Sequence, residues 1–154
     1  MTVRPIPDDY PQVIPYLTID GAADAIDFYV KVLGAKERMR MPGPDGKIGH
    51  AELEIGRGMV MVSDAFPELG GKSPKTVGGT PVMIMAYVED VDEVFQRALG
   101  SGAKELRPVE NQFYGDRAGQ FEDPFGPLWY IATHVEDISD EEVAKRAAEA
   151  MDGG

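Results

Sequence analysis

Residues 13–35, VIPYLTIDGAADAIDFYVKVLGA, carry the reading on which the fold depends. Val13 to Ile19 is rich in strand formers, Pro15 marks it as an edge strand or a bulge, and Asp20-Gly21 closes it. From Ala22 the apolar residues Ala22, Ile26, Tyr29, Val30 and Leu33 recur at the spacing of a helix with one buried face, and Gly34 supplies its stop. Lys36 to Met41 predicts a second strand. The turn Pro42-Gly43-Pro44-Asp45-Gly46 leads into a third over Lys47 to Ile55, and Gly56-Arg57-Gly58 makes a hairpin into a fourth over Met59 to Ser63. One strand, one helix and three strands form a βαβββ module over about residues 12–64.

The same order returns further along. Residues 65–79 are glycine- and proline-rich, which argues against any regular element and for a linker that doubles as a lid. Thr80 to Val88 predicts a strand. Asp90 then caps a helix with apolar Val91, Val94, Phe95, Ala98 and Leu99, and Asp90 with Glu93 has capping-box spacing. Ala103-Lys104-Glu105 after this helix echoes Ala35-Lys36-Glu37 after the first. Strands near Lys104 to Pro108, Ala118 to Glu122 and Leu128 to Thr133 complete a second module over residues 80–134. A third helix, about 139–151, opens on a Ser139/Glu142 capping box. The expectation is an α+β chain forming one domain over 1–154: two tandem βαβββ modules, a curved mixed β-sheet around a cleft, and an added C-terminal helix. One helix covers one face of each module's sheet, so the other face is left free to line that cleft.

Composition narrows the function. The chain has 154 residues and no cysteine, which removes thiol catalysis, disulfides and thiolate metal sites. Its net charge of −12, with no basic stripe to offset it, repels phosphate backbones and argues against nucleic acid and anionic membranes as partners. The opening MTVRPIPDDYPQ lacks the apolar run of a secretory signal, so a cytoplasmic location is expected. The glycine-rich stretches carry no phosphate-loop lysine and open no dinucleotide-binding helix.

Several segments resemble a known family. PYLTIDGAADAIDFYVKVLGA at 15–35, GHAELEIG at 49–56, YVEDVDEVF at 87–95, QFYGDRAG at 112–119 and DPFGPLWYIATHVED at 123–137 look like the vicinal oxygen chelate superfamily, which includes glyoxalases, bleomycin-resistance proteins and dioxygenases, and most closely its PhnB-like branch. The resemblance implies a homodimer that acts on a small molecule. Metal-dependent members take ligands from the first and last strands of each module, places that fall at or next to Val13, Met61, Met83 and Tyr130. None is His, Asp or Glu, so no metal and no cofactor is expected.

If Met61 and Tyr130 face the cleft, alternation brings Met59 with the first, and Met83 brings Met85 and Tyr87. A floor of methionines and tyrosines suits a flat apolar or aromatic ligand; the same methionines can equally fill a core between sheets. His50 and Glu52 alternate with Ala51 and Leu53 on one strand, as a base with its orienting carboxylate or as the polar side of a half-exposed strand. Arg117 is a candidate to hold a ligand carboxylate or phosphate, with Tyr114 stacking and Asp116 fixing the guanidinium; a purely structural Asp116–Arg117 pair is the other reading. His134 reads as a surface histidine. The expected function is metal-free small-molecule binding of the bleomycin-resistance type. The alternative is a lyase, isomerase or dioxygenase-like enzyme using His50 and Glu52, with or without a rearranged divalent metal site.

Overall fold

The computed structural model describes residues 3–152; Met1, Thr2, Gly153 and Gly154 of the expected 1–154 domain lie outside them. The chain divides into two compact units, residues 1–80 with 125–127, and residues 81–124 with 128–154. The strands of the described residues sort into two four-stranded mixed sheets, one per βαβββ module.

In the first unit the order is β1 (Tyr16–Ile19), α1 (Ala22–Leu33), β2 (Lys36–Pro42), β3 (Ile48–Ile55) and β4 (Gly58–Asp64), arranged β1-β4-β3-β2. β1 runs parallel to β4, and the β4–β3 and β3–β2 pairs are antiparallel. β1 starts three residues later than the apolar run suggested. Pro15 still lends its carbonyl to the Met61 N–H at 2.9 Å, but its own nitrogen has no proton to donate, and Val13 lies outside the strand at 86% exposure. The helix covers one sheet face: Ile26, Tyr29 and Val32 are buried together with Ile19, Ala51, Leu53, Val60 and Val62.

The start of α1 has an unusual cap. Gly21 precedes the helix and has no side chain to accept its free N–H groups, so the buried Asp64 at the end of β4 takes that part. Oδ1 accepts from the Gly21 N–H at 3.0 Å and the Ala22 N–H at 3.1 Å, while Oδ2 accepts from the Ile48 N–H at 2.6 Å. One carboxylate thus ties α1 to the beginning of β3. The turn 125–127 belongs to the same unit, and the Phe125 ring meets Phe28 edge-on with centroids 6.3 Å apart.

The stretch 65–79 corrects the expectation of an irregular linker. It contains a 3-10 turn at Pro67–Leu69 and a short helix α2 (Pro74–Val77). The buried Ser73 makes the difference, because its Oγ accepts from the Thr76 N–H at 3.2 Å and donates to Asp20 at 2.7 Å, while Pro74 sits where a helix needs no N–H.

In the second unit come β5 (Met83–Tyr87), α3 (Val91–Gly100), β6 (Lys104–Asn111), β7 (Asp116–Glu122), β8 (Leu128–His134) and α4 (Asp140–Asp152), with sheet order β5-β8-β7-β6. Asp90 caps α3 as its spacing predicts, accepting from the Glu93 N–H at 3.1 Å. β6 continues past Pro108, which an edge strand tolerates where its register slips between Arg107 and Glu110. Phe95 of α3 packs directly on β7 because residue 119 is glycine: a Cβ there would stand 2.9 Å from the Phe95 ring. Trp129 is fully buried and donates through Nε1 to Asp123 at 2.9 Å.

α4 buries none of its residues fully, although Val143 and Ala147 are half-buried. Arg146 clamps it to the preceding chain, reaching Glu136 at 2.9 and 3.1 Å and the Phe113 carbonyl at 3.2 Å, and also meets Glu142 of its own helix at 3.1 Å. Beneath that clamp, the Gly115 carbonyl accepts from the Val135 and Glu136 N–H groups at 2.9 and 3.0 Å.

Candidate functional site

Each sheet has a face turned away from its helix, and the strand register says which residues share it. In the first unit Tyr16 lies opposite Met61, Met61 opposite Glu52 and Glu52 opposite Met39, while His50 lies opposite Met41. Side chains in register stand on the same side of a sheet, so Tyr16, Met39, Met41, His50, Glu52 and Met61 form one surface. Met59 shares it but is buried. Ala51 and Leu53 point the other way, into the core, as their alternation with His50 and Glu52 predicts.

Four side chains on and beside this surface form a continuous hydrogen-bonded chain. Glu52, 4% exposed, accepts from the Tyr10 hydroxyl through Oε1 at 2.8 Å and meets His50 Nε2 through Oε2 at 2.9 Å. The other ring nitrogen, Nδ1, lies 2.7 Å from the Tyr16 hydroxyl. The hydrogen bond with His50 holds the Glu52 carboxyl below its ordinary range against the opposing effect of burial, and the Tyr10 hydroxyl adds to it. The same carboxylate pushes the Tyr10 phenol up. Arg38 stands over the Tyr10 ring, 4.3 Å from its centroid, and donates to the Asp9 carbonyl at 2.8 Å, so the N-terminal arm is pinned where Tyr10 can reach Glu52. His50 and Glu52 are brought together as the sequence suggested. Tyr10, Tyr16 and Arg38 carry no sequence signal of this role, since the contacts that bring them here join distant parts of the chain.

In the second unit the corresponding surface holds Met83, Met85 and Tyr87 of β5, with Leu128, Tyr130 and Ala132 opposite them on β8. The Tyr130 hydroxyl is buried, finds no hydrogen-bond partner among the described residues, and has its pKa raised by burial. Asp116, 4% exposed, accepts from the Tyr87 hydroxyl at 2.8 Å and meets His134 Nδ1 at 2.9 Å, and His134 Nε2 reaches Asp137 at 2.7 Å. These two carboxylates raise the His134 pKa, Asp116 first, and Asp116 raises that of Tyr87. His134 is therefore a surface histidine with two fixed partners.

The expected pairing of Asp116 with Arg117 does not form. Arg117 grips Asp92 with Nε and Nη2 at 2.8 and 2.9 Å and reaches Asn111 at 3.2 Å. Both residues lie on β7, which begins at Asp116, and neighbours on a strand point to opposite faces. With its fork occupied by a carboxylate, Arg117 has its charge already answered. Tyr114 packs edge-on against Phe113, with centroids 5.1 Å apart.

Of the four positions that the resemblance projects for metal ligands, Val13 is exposed and lies outside β1, while Met61, Met83 and Tyr130 stand on strands. An alkyl side chain, two thioethers and a phenol do not fit a divalent cation that needs carboxylate or imidazole donors. Among the described residues no group of three or more His, Cys, Asp or Glu is placed to hold a metal ion.

Two βαβββ modules, each with a helix on one sheet face and an open face rich in methionine and tyrosine, define a paired-module α+β fold. Residues 13–131 match the family model described as Glyoxalase/Bleomycin resistance protein/Dioxygenase superfamily, and the chain belongs to that superfamily. It is 46% identical over 146 residues to an uncharacterized protein of Mycobacterium bovis, covering 93% of this chain and 96% of that one. Among solved structures, TioX from Micromonospora sp. ML1 is 29% identical with a TM-score of 0.62, covering 80% of this chain and 98% of that one. A PhnB protein from Bacillus cereus shares the fold at 16% identity and a TM-score of 0.61, covering 80% and 99%.

Proposed function

We propose that this chain is a small-molecule-binding protein of the glyoxalase/bleomycin-resistance type that holds a flat apolar or aromatic ligand on its open sheet faces without the usual metal ligands. One observation carries the reading. Tyr16, Met39 and Met41 on the first face and Met83, Met85 and Tyr87 on the second are between 36% and 60% exposed, although a soluble protein ordinarily tucks large apolar side chains away. Thioethers adapt their shape and make favourable contacts with aromatic rings, so such a surface takes planar ligands of varied outline.

Thermal-shift and calorimetric titrations with aromatic antibiotics, quinones and 2-oxoaldehyde adducts, on protein treated with a chelator, test this. Binding should survive chelation and weaken by about tenfold or more when Met39→Glu on the first face, or Met85→Glu on the second, places a charge on the face that carries the ligand. Binding that needs an added divalent metal, or that ignores both substitutions, overturns the reading. We take the protein to act as a cytoplasmic homodimer that engages neither nucleic acid nor membranes; its net charge of −12 supports the last part, and sedimentation would test the dimer.

A second reading is a lyase, isomerase or dioxygenase-like enzyme using His50 and Glu52, with or without a rearranged divalent site. The 2.9 Å contact between the imidazole and a buried carboxylate favours it, since that pairing orients a general base. Turnover unchanged in His50→Ala would remove it.

A further inference from the structure

When His50 is neutral, the chain Tyr10–Glu52–His50–Tyr16 has a direction, set by the chemistry of its members. The ionised Glu52 carboxylate can only accept, so Tyr10 must donate to Oε1 and the His50 Nε2 must carry the proton that faces Oε2. An imidazolium would donate from Nδ1 to the Tyr16 oxygen, whereas the neutral imidazole protonated at Nε2 has a lone pair at Nδ1, and to that form the Tyr16 hydroxyl, 2.7 Å away, donates. Its proton points at the histidine and its oxygen lone pairs are left for something else. Tyr16 is also the exposed end of the chain, at 49% exposure against 4% for Glu52, and it stands on the same surface as Met61, Met39 and Met41.

We infer that Tyr16 is an acid–base group which accepts a proton from a ligand bearing a weakly acidic hydroxyl, a phenol or an enol, with His50 and Glu52 as the positioning residues behind it. This deepens the small-molecule reading and rests on it. The proton balance is simple. The ligand O–H bond breaks and a new O–H bond forms on the Tyr16 oxygen, while the original Tyr16 O–H bond breaks and an N–H bond forms at His50 Nδ1. The ligand is left as its anion and the imidazole becomes a cation beside the Glu52 carboxylate. No oxidant, metal or co-reactant is required. The methionines would meet the flat ring, and Tyr16 would read the one polar atom on it, as apolar pockets with few polar groups do.

The test uses two probes of nearly the same shape, 4-nitrophenol and 4-nitroanisole. The first forms an anion that absorbs in the visible and the second has no proton to lose. Affinity is read by calorimetry and ionisation by the rise of the visible band above that of free 4-nitrophenol at pH about 7, where an ordinary imidazole is mostly neutral. The wild-type chain should bind the phenol about tenfold more tightly than the ether, the effect of one hydrogen bond to a charged group, and should develop the anion band. Tyr16→Phe should bind both probes alike without the band. His50→Gln, which keeps the phenol of Tyr16 but removes the base behind it, should also lose the band. Circular dichroism checks that both variants are folded, and a folded Tyr16→Phe is expected because the side chain is half exposed.

Equal binding of the two probes by the wild type with no band, or a band that persists in Tyr16→Phe, overturns the inference and leaves the small-molecule reading standing. Binding of neither probe by a protein that does bind an aromatic antibiotic or quinone overturns the inference alone, and binding of none of these ligands overturns both. Nitrogen-15 spectra of the two histidines give a separate readout: His50 should appear as the Nε2–H tautomer in the free protein and as the imidazolium when 4-nitrophenol is bound.

Discussion

Replacing Asp64 by asparagine should be among the costlier single-atom changes available in this chain. The side chain is 6% exposed and accepts three backbone N–H groups, from Gly21 and Ala22 on one oxygen and from Ile48 on the other. Asparagine keeps one oxygen and turns the second into an NH2 group. If the oxygen stays with α1, the amide faces the Ile48 N–H donor to donor across what is now 2.6 Å; if it flips, the first turn of α1 loses both acceptors. Either way at least one buried N–H is left unsatisfied, costing about 1–3 kcal/mol, and the remaining bonds lose the charge that made them strong. The carboxylate's favourable position at a helix N-terminus contributes roughly 0.3–1 kcal/mol more. We expect about 2–4 kcal/mol of destabilisation for Asp64→Asn, and more for Asp64→Ala, which leaves all three donors unpaired. Urea unfolding followed by circular dichroism measures the difference, and amide exchange should accelerate at Ala22 and Ile48. A loss below about 0.5 kcal/mol, the range of an ordinary surface change, would refute the argument that this carboxylate is the cap of α1.

Gly115 has φ +96° and its missing Cβ would lie 2.4 Å from the Glu136 carbonyl oxygen, so Gly115→Ala should cost about 2–4 kcal/mol, combining left-handed strain with displacement of the strand-end backbone; thermal unfolding reads it. For His134 the sign follows from its raised pKa: the pairing with Asp116 and Asp137 stabilises the fold fully below the ordinary histidine value of 6.5 and is lost as pH rises through the higher folded value. The gap in urea midpoint between wild type and His134→Gln should therefore be widest in mild acid and close on the alkaline side. A gap that widens with pH would contradict the assignment.

The parts of the fold legible in the sequence are those encoded locally. Gly34 marks the exit of α1, the Asp90/Glu93 and Ser139/Glu142 spacings produce N-terminal hydrogen bonds at 3.1 Å in each case, and the alternation with His50 and Glu52 sends Ala51 and Leu53 into the core. The short helix α2 was missed because glycine count outweighed Ser73-Pro74, a cap followed by a first-turn proline. The site was legible only where its members are neighbours. His50 and Glu52 share a strand, but Tyr10 meets Glu52 across 42 positions of sequence and Tyr16 meets His50 across 34, and no periodicity reports contacts that the sheet order creates. The Asp116–Arg117 pairing fails for a different reason. Starting β7 at Ala118 instead of Asp116 hid the fact that two adjacent strand residues cannot face the same way, and its true partner Asp92 lies 25 positions back on α3.

The first unit takes residues 125–127 from the far side of residues 81–124, with Phe125 against Phe28. Translation delivers Phe28 to the ribosome exit long before the ring that covers it. Until the turn emerges, one flank of α1 must wait with its aromatic surface uncovered, so the nascent first half cannot reach its final packing by itself. A genetic split near Thr80 would leave residues 125–127 on a different fragment from the rest of their unit, whereas a circular permutation opened there would have them made before Phe28. The chain order thus makes completion of the first module a late event in synthesis, although its strands are among the first to be made.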